Sequence, residues 1–457
     1  MKTIIGLEVH VELDTDTKLF CGCTNKGENP NDSVCEICLG MPGSKPVLNK
    51  KALNYALRIC LALKCNIAKQ VIFSRKTYFY PDMAKNYQIT QYEMPVGNGG
   101  VINIGEKNIN LTRIHLEEDP AALIHQGSST LIDYNRSGHP LIEIVTEPEI
   151  ESPEEAREFL KKLITTLNYL GIFDEKNGII KADANISMQG SERVEIKNIT
   201  GFKEIERALN YEVLRQQEMI KQGQKIKRET RGWDSDKGIT SFQRSKEQEE
   251  DYGYILDSDL VPIDLTEDYL KEIKKDIPEL AHEKIQKYIK IYNIKKEDAE
   301  VIASEYLLAD LFEKVAKKIN PELAAKWLKR ELMRVVAYNK LDLHDLEIDE
   351  THLIELLELI EKKQITEQVG QRIIEQLIEK PFSPKEYVKK QGIKVVSSEK
   401  ELEEICKKAI SENKKAADDY KNGNEKSLQF IAGQVMRITK GQAEPHKVQE
   451  ILKKLLK

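Results

Sequence analysis

The chain has 457 residues, 40% hydrophobic and 32% charged, with 70 Lys and Arg against 76 Asp and Glu and a net charge of −6. That balance excludes disordered, collagen-like and low-complexity classes, and at ~150 residues per domain the length leads to about three domains. No apolar run approaches the ~20 residues of a membrane span, and the start MKTIIGLEVHVELD meets acids too early for a signal-peptide core; a cytoplasmic protein with no membrane partner is expected.

In chain order, residues 1–265 read as strands broken by turns, with two helices. Residues 266–396 read as a helical domain and 397–457 as a small helical tail. Thr266 is a good N-cap before an apolar-periodic run, and Ser397–Ser398 cap the first tail helix. Residues 400–457 hold 13 Lys and Arg against 9 Asp and Glu, a basic end on an acidic body, which points to an anionic partner for the tail.

Several strands of the first part alternate with period two. Glu8, His10 and Glu12 oppose Leu7, Val9 and Val11. Arg113, His115 and Glu117 oppose Ile114 and Leu116. Glu143 and Glu147 share a face. Lys181, Asp183, Asn185 and Ser187 oppose Ala182, Ala184, Ile186 and Met188, and Arg193, Glu195 and Lys197 oppose Val194 and Ile196. One apolar and one polar face is the signature of an antiparallel sheet with one side packed. A solvated outer face would explain any single strand. Five strands offering His, Asp, Asn, Glu and Lys or Arg together look like a site for a polyanion with metal ions. The two helices are Lys45–Leu63 and the run opened by Ser152-Pro-Glu-Glu and closed at Gly171.

Four of the seven cysteines, Cys21, Cys23, Cys35 and Cys38, form two close pairs around an 11-residue loop rich in Gly, Pro and Asn. Paired thiols of that spacing close a tetrahedral structural zinc site; the other readings are unmetallated buried thiols and a redox role for Cys35–Cys38. Cys60 and Cys65 read as packing groups. No Walker-type GxxxxGK[ST] occurs, and Gly97-Asn-Gly-Gly100 is a hairpin candidate and a poor phosphate loop. Any nucleotide would be held by side chains and magnesium. Arg75 and Lys76, in Ser74-Arg-Lys-Thr-Tyr-Phe-Tyr-Pro, mix cations with aromatics in the manner that suits phosphate and base stacking, or line a packed surface loop. Gly127-Ser128-Ser129 is a turn, with no amidase surround.

The strings IGLEVHVEL, TKLFCGC, CEICLGMPGSKPVLN, SRKTYFYPDMAKNYQITQ, IHLEEDPA and LIDYNRSGHPLIEIVTEPEI resemble the GatB family, the B-subunits of aspartyl/glutamyl-tRNA(Asn/Gln) amidotransferases. KADANIS, RVEIKNI, ETRGWD, RSKEQEEDYGY and the tail DYKNGNEKSLQFIAGQVMRITKGQAEP continue the match nearly end to end. The related GatE family inserts a synthetase-like domain before the helical part, and Pro262 here runs directly into helices. The resemblance implies an α+β chain: an antiparallel-sheet cradle with the catalytic site, an all-helical domain and a YqeY-like tail that contacts tRNA. It implies a heterotrimer with an amidase A-subunit, which frees ammonia from glutamine, and a small C-subunit. With ATP, the B-subunit would activate the side-chain carboxylate of Asp or Glu misattached to tRNA and direct ammonia onto it. Carried over residue by residue, magnesium falls to Glu8, His10 and Glu117, with Glu118 the alternative if a bulge shifts the register. Asp183, Asn185, Glu195 and Lys197 would line the same cavity, with Glu143 a weaker candidate. The competing class is a non-catalytic zinc-containing tRNA-binding protein.

Overall fold

The computed structural model describes residues 2–456 apart from 174–179, 246–252, 344–345 and 397, and does not describe the side chain of Asn198. Ser397 and most of RSKEQEEDYGY therefore lie outside the described residues. The chain forms two compact units, Met1–Leu280 and Ala281–Lys457.

The first unit is built on a ten-stranded sheet. Its long members are β1 (Thr3–Glu12), β2 (Asn108–Glu118), β3 (Pro140–Thr146), β4 (Ile180–Met188), β5 (Val194–Thr200), β6 (Glu229–Asp234) and β7 (Ile239–Ser245), in the spatial order β7-β6-β5-β4-β1-β3-β2. Short strands Gly97–Asn98 and Asn66–Ile67 extend the β2 edge. Residues Gly97-Asn-Gly-Gly100 do not make a hairpin: Gly97–Asn98 and Val101–Asn103 both pair with β2, and Gly99 and Gly100 turn the chain at positive φ between them. The alternation resolves as expected. Ile5, Leu7, Val9, Val11, Ile142, Ile144, Ala182, Ala184 and Ile186 are buried, while Glu8, His10 and Glu12 are half-buried on the other face. Burying each Leu, Ile or Val side chain contributes roughly 1.5–3 kcal/mol, and that is what pins which face points inward.

Three helices interrupt the strands, one more than expected: α1 (Lys50–Ala62), α2 (Pro153–Tyr169) and α3 (Phe202–Lys221). Helix α1 starts at Lys50 because Asn49 caps it, accepting from the amides of Lys51 and Ala52. Ser152 caps α2 through the Glu155 amide, and Gly171 follows its end at φ 62°. Helix α3 packs on α2, β4, β5 and β7. A helix α4 (Glu267–Lys275), capped by Thr266 as expected, also belongs to this unit and packs on α1.

The second unit is helical among the described residues, from Ala281–Lys290 to Pro445–Leu456, with a π-helical turn at Trp327–Leu332. Its last four helices, Glu399–Glu412, Lys414–Lys421, Glu425–Ile438 and Pro445–Leu456, share a core that includes Leu402, Cys406, Ile431, Val435, Val448 and Leu452. Ser398 stands at the N-cap of the first of them, and its side chain makes no capping bond among the described residues. No described helix is long and apolar enough to cross a membrane.

Candidate active site on the polar sheet face

Strand register assembles the site. His10 of β1 stands opposite Glu143 of β3, which stands opposite His115 of β2; two residues along the same face, Leu141 stands opposite Glu117. Directly opposed residues share a face, so four polar side chains from three strands converge. His10 Nε2 lies 3.3 Å from Glu143 Oε2 and 3.5 Å from Glu117 Oε1. His115 Nε2 lies 3.5 Å from Glu143 Oε2 and 3.6 Å from Glu117 Oε2. The Thr90 hydroxyl donates to Glu117 at 3.3 Å, and an Arg113 Nη is 3.7 Å from Glu143.

Burial disfavours charge on His10, but the hydrogen bond and charge of Glu143, with Glu117 and Asp183 behind it, outweigh burial and hold its pKa at about 9. Burial also works against the Glu143 and Glu117 carboxylates. The charge of His115 and the bond from His10 bring Glu143 well below its ordinary value, and the His115 bond lowers Glu117. His115 Nδ1 and Arg113 Nε are buried without a partner among the described residues.

A second cluster lies on the β1, β4 and β5 side of the same face. Glu8 stands opposite Asp183, and Asn185 opposite Glu195. Asn185 Nδ2 donates to Glu8 at 2.9 Å; Lys197 Nζ lies 2.8 Å from Asp183 and 3.3 Å from Glu195. Burial, then the charges of Glu143 and Asp183, push Glu8 up. Asp183 and Glu195 overcome the cost of burying Lys197 and raise its pKa, so it stays an ammonium. His10, Glu117 and Glu143 each offer one ligand atom within 4.8 Å of the others, and so do Glu8, Asp183 and Glu195. Glu8 thus falls in the second group, apart from His10 and Glu117, and Glu143 stands with those two. Five carboxylates against Lys197, Arg113 and two imidazoles leave an excess of buried negative charge. Oxygen donors with one imidazole suit magnesium, whose binding would displace the proton that Glu143 and Glu117 hold on His10 in the metal-free site.

The other candidates are held elsewhere. Glu118 leaves this face: it accepts from Lys85 Nζ at 2.6 Å and from the Ile89 amide at 2.8 Å. Arg75, in strand Ser74–Thr77, pairs with Asp257 and Asp259, both at 2.8 Å, and lies over the Tyr87 ring at 4.6 Å. Lys76 stands between Gln88 and Tyr254 in the three-stranded sheet of Ser74–Thr77, Tyr87–Thr90 and Gly253–Leu256. The sequence carries no direct sign that His115 contacts both acids, although alternation already puts it beside Arg113 and Glu117. Thr90 and Lys85 carry no local signal.

The sulfurs of Cys21, Cys23, Cys35 and Cys38 lie within 4.8 Å of one another. Zinc–sulfur bonds of about 2.3 Å in a tetrahedron require sulfurs about 3.8 Å apart; Cys35 and Cys38 are 3.9 Å apart. The Cys35 amide donates to Cys38 Sγ at 3.1 Å, and the fully buried Lys18 places Nζ 3.6 Å from it. The Cys21 thiol, the Cys35 amide and Lys18 bring the Cys38 pKa down to about 4 against the cost of burial. A four-thiolate zinc centre carries two net negative charges, and Lys18 offsets part of them.

A two-faced sheet with a buried carboxylate–imidazole face and a separate four-cysteine loop that could hold a metal ion is the arrangement of a catalytic domain. A model described as the GatB/GatE catalytic domain matches residues 3–271, and one described as the GatB domain matches residues 310–456. The aspartyl/glutamyl-tRNA(Asn/Gln) amidotransferase B-subunit of Thermoanaerobacter sp. is 42% identical over 470 residues, covering 100% of this chain and 99% of its own. The protein of that name from Thermodesulfovibrio yellowstonii is 42% identical over 471 residues, with coverage of 100% and 99%. That from Thermotoga maritima is 40% identical over 476 residues, with the same coverage. The chain belongs to the GatB family, the B-subunits of tRNA-dependent amidotransferases, and carries its catalytic domain.

Proposed function

We propose that this chain performs the ATP-dependent amidation of Asp-tRNA(Asn), Glu-tRNA(Gln) or both, using ammonia freed by an amidase A-subunit in a complex that also holds a small C-subunit. The observation that carries the reading is the convergence of His10, Glu117 and Glu143 with Glu8, Asp183, Glu195 and Lys197 on one face. The aminoacyl side-chain carboxylate attacks the γ-phosphorus of ATP, the bond from that phosphorus to the bridging oxygen breaks, and ADP leaves. Ammonia then attacks the carbonyl carbon of that acyl phosphate, a C–N bond forms, the C–O bond to phosphate breaks, and the nitrogen loses a proton.

This chain's residues position and neutralise. Magnesium, held by His10, Glu117 and Glu143, would offset the charge of two anions brought together. Lys197, a fixed ammonium among carboxylates, offers positive charge to a phosphoryl oxygen. Asn185 holds Glu8 in place. Zinc on the four cysteines is structural. The basic tail supports a role in holding tRNA, and the whole complex would work in the cytoplasm. The test is reconstitution with both misacylated tRNAs. ATP-dependent Asn-tRNA or Gln-tRNA formation is expected. tRNA binding with no amide from either substrate, while glutaminase activity persists, would favour the non-catalytic alternative.

A further inference from the structure

Strands β5 and β6 form the parallel pair in a ten-stranded sheet whose other described pairs are antiparallel. A parallel connection needs a crossover, and α3 supplies it. The resulting register sets Thr230 of β6 directly across from Glu195 of β5, on the polar face. Thr230 is 1% exposed, and its hydroxyl donates to Glu195 Oε2 at 2.9 Å. The other oxygen, Oε1, faces Lys197 at 3.3 Å. A hydroxyl donor on one oxygen and an ammonium beside the other set the rotation of the carboxylate about its last bond.

We infer that Thr230 is a positioning residue: its hydroxyl fixes the Glu195 carboxylate within the Glu8–Asp183–Glu195 group. The next residue shows why Thr230 cannot drift. Arg231 points to the opposite face, where Nε donates to the Thr240 hydroxyl at 2.8 Å and an Nη to Glu229 at 2.9 Å. The Thr240 hydroxyl in turn donates at 3.0 Å to Glu212, a fully buried α3 carboxylate that also binds Arg215. The crossover helix is thereby bolted to the strand that carries Thr230. A competing role is purely structural, the hydroxyl doing no more than satisfying a buried acid.

The inference rests on the amidation reading, and the experiment separates their failures. Amidation is measured in the assembled complex with ammonium chloride as nitrogen source, for wild type, Thr230→Val, Thr230→Ser, Glu195→Gln and the Thr230→Val/Glu195→Gln double variant. Losing a hydrogen bond to a charged group should lower kcat by ~10-fold or more in Thr230→Val, with KM for tRNA changed less than ~2-fold. Thr230→Ser should restore most of the rate. In the Glu195→Gln background Thr230→Val should change kcat by less than ~2-fold, because the two act as one unit. Should Thr230→Val fold poorly in thermal melts, Thr230→Ala replaces it in the same cycle. An equal loss in both backgrounds, or no loss in either, overturns the positioning role alone. Full amidation by Glu195→Gln overturns it together with the catalytic reading of that cluster.

Discussion

Glu117 and Glu118 are consecutive in β2 and serve opposite sides of the strand: Glu117 joins His10 and His115, whereas Glu118 is paired with Lys85. Period-two geometry makes this unavoidable in an unbulged strand, and the one irregularity of the β2–β3 ladder falls at Val145/Thr146, far from these residues. Glu118→Gln should therefore act on stability. It strands the Lys85 ammonium, whose side chain is 8% exposed, and breaking a buried pair costs about 3–5 kcal/mol. Urea melts of this variant should show that loss, and an unchanged midpoint would refute it.

His10→Ala should act on chemistry. Removing the ring takes the central partner from Glu117 and Glu143. Amide formation should fall by at least ~10- to 100-fold, the scale for losing a ligand's orienting partner, while the glutaminase activity of the amidase stays measurable. Full amide formation by this variant would remove His10 from the site.

Metal analysis of protein prepared without chelator should find about one zinc per chain, bound by Cys21, Cys23, Cys35 and Cys38. Cys38→Ser should lose the metal and lower the melting temperature, because Lys18 would then face no thiolate. No zinc together with four titratable thiols would refute the site.

The tail should contact tRNA through charge. Lys407, Lys414 and Lys421 line one cleft of the tail, and replacing them by Glu leaves the shared core untouched. A truncation at Val396 would instead strip Thr366 of its hydrogen bond to the Gly441 carbonyl. Each lost phosphate contact should flatten the dependence of log K on log salt by about 0.7–0.9, so tRNA affinity should drop most at low salt. Identical affinity across salt concentrations would mean that these lysines form only a solvated surface.

Glu12 gives a pH signature. Its hydrogen bond with His139, Oε1 to Nδ1 at 2.7 Å, holds its carboxyl below the ordinary 4.5 despite burial. A carboxyl depressed in the folded state adds stability above its unfolded pKa and loses it as pH falls through the folded one. The gap in melting temperature between wild type and Glu12→Gln should be largest near neutral pH and should narrow as pH falls below the ordinary 4.5 and through the lowered folded value. A gap that widens on acidification would contradict this assignment.

Period-two alternation alone determined the face of Glu8, His10, Glu117, Glu143, Asp183, Glu195 and Lys197, because burying the opposite apolar row leaves each strand one way to sit. Local chemistry likewise made the caps at Ser152 and Thr266 and the paired cysteines legible. Helix α3 escapes that reading although it follows Gly201 and has helical periodicity: Ile205, Ala208, Leu209, Glu212 and Gln216 are its buried face, and two of those five are polar. What local pattern cannot hold is which strands are neighbours. The order β6-β5-β4-β1-β3-β2 is set by long-range ladder pairing and by helices packing on the apolar side. It put Glu143 with His10, moved Glu8 to Asp183 and Glu195, and brought Thr230 to Glu195 from 35 residues away. A residue's face follows from its own neighbours in the chain; its partners follow from hydrogen bonds made between segments far apart in it.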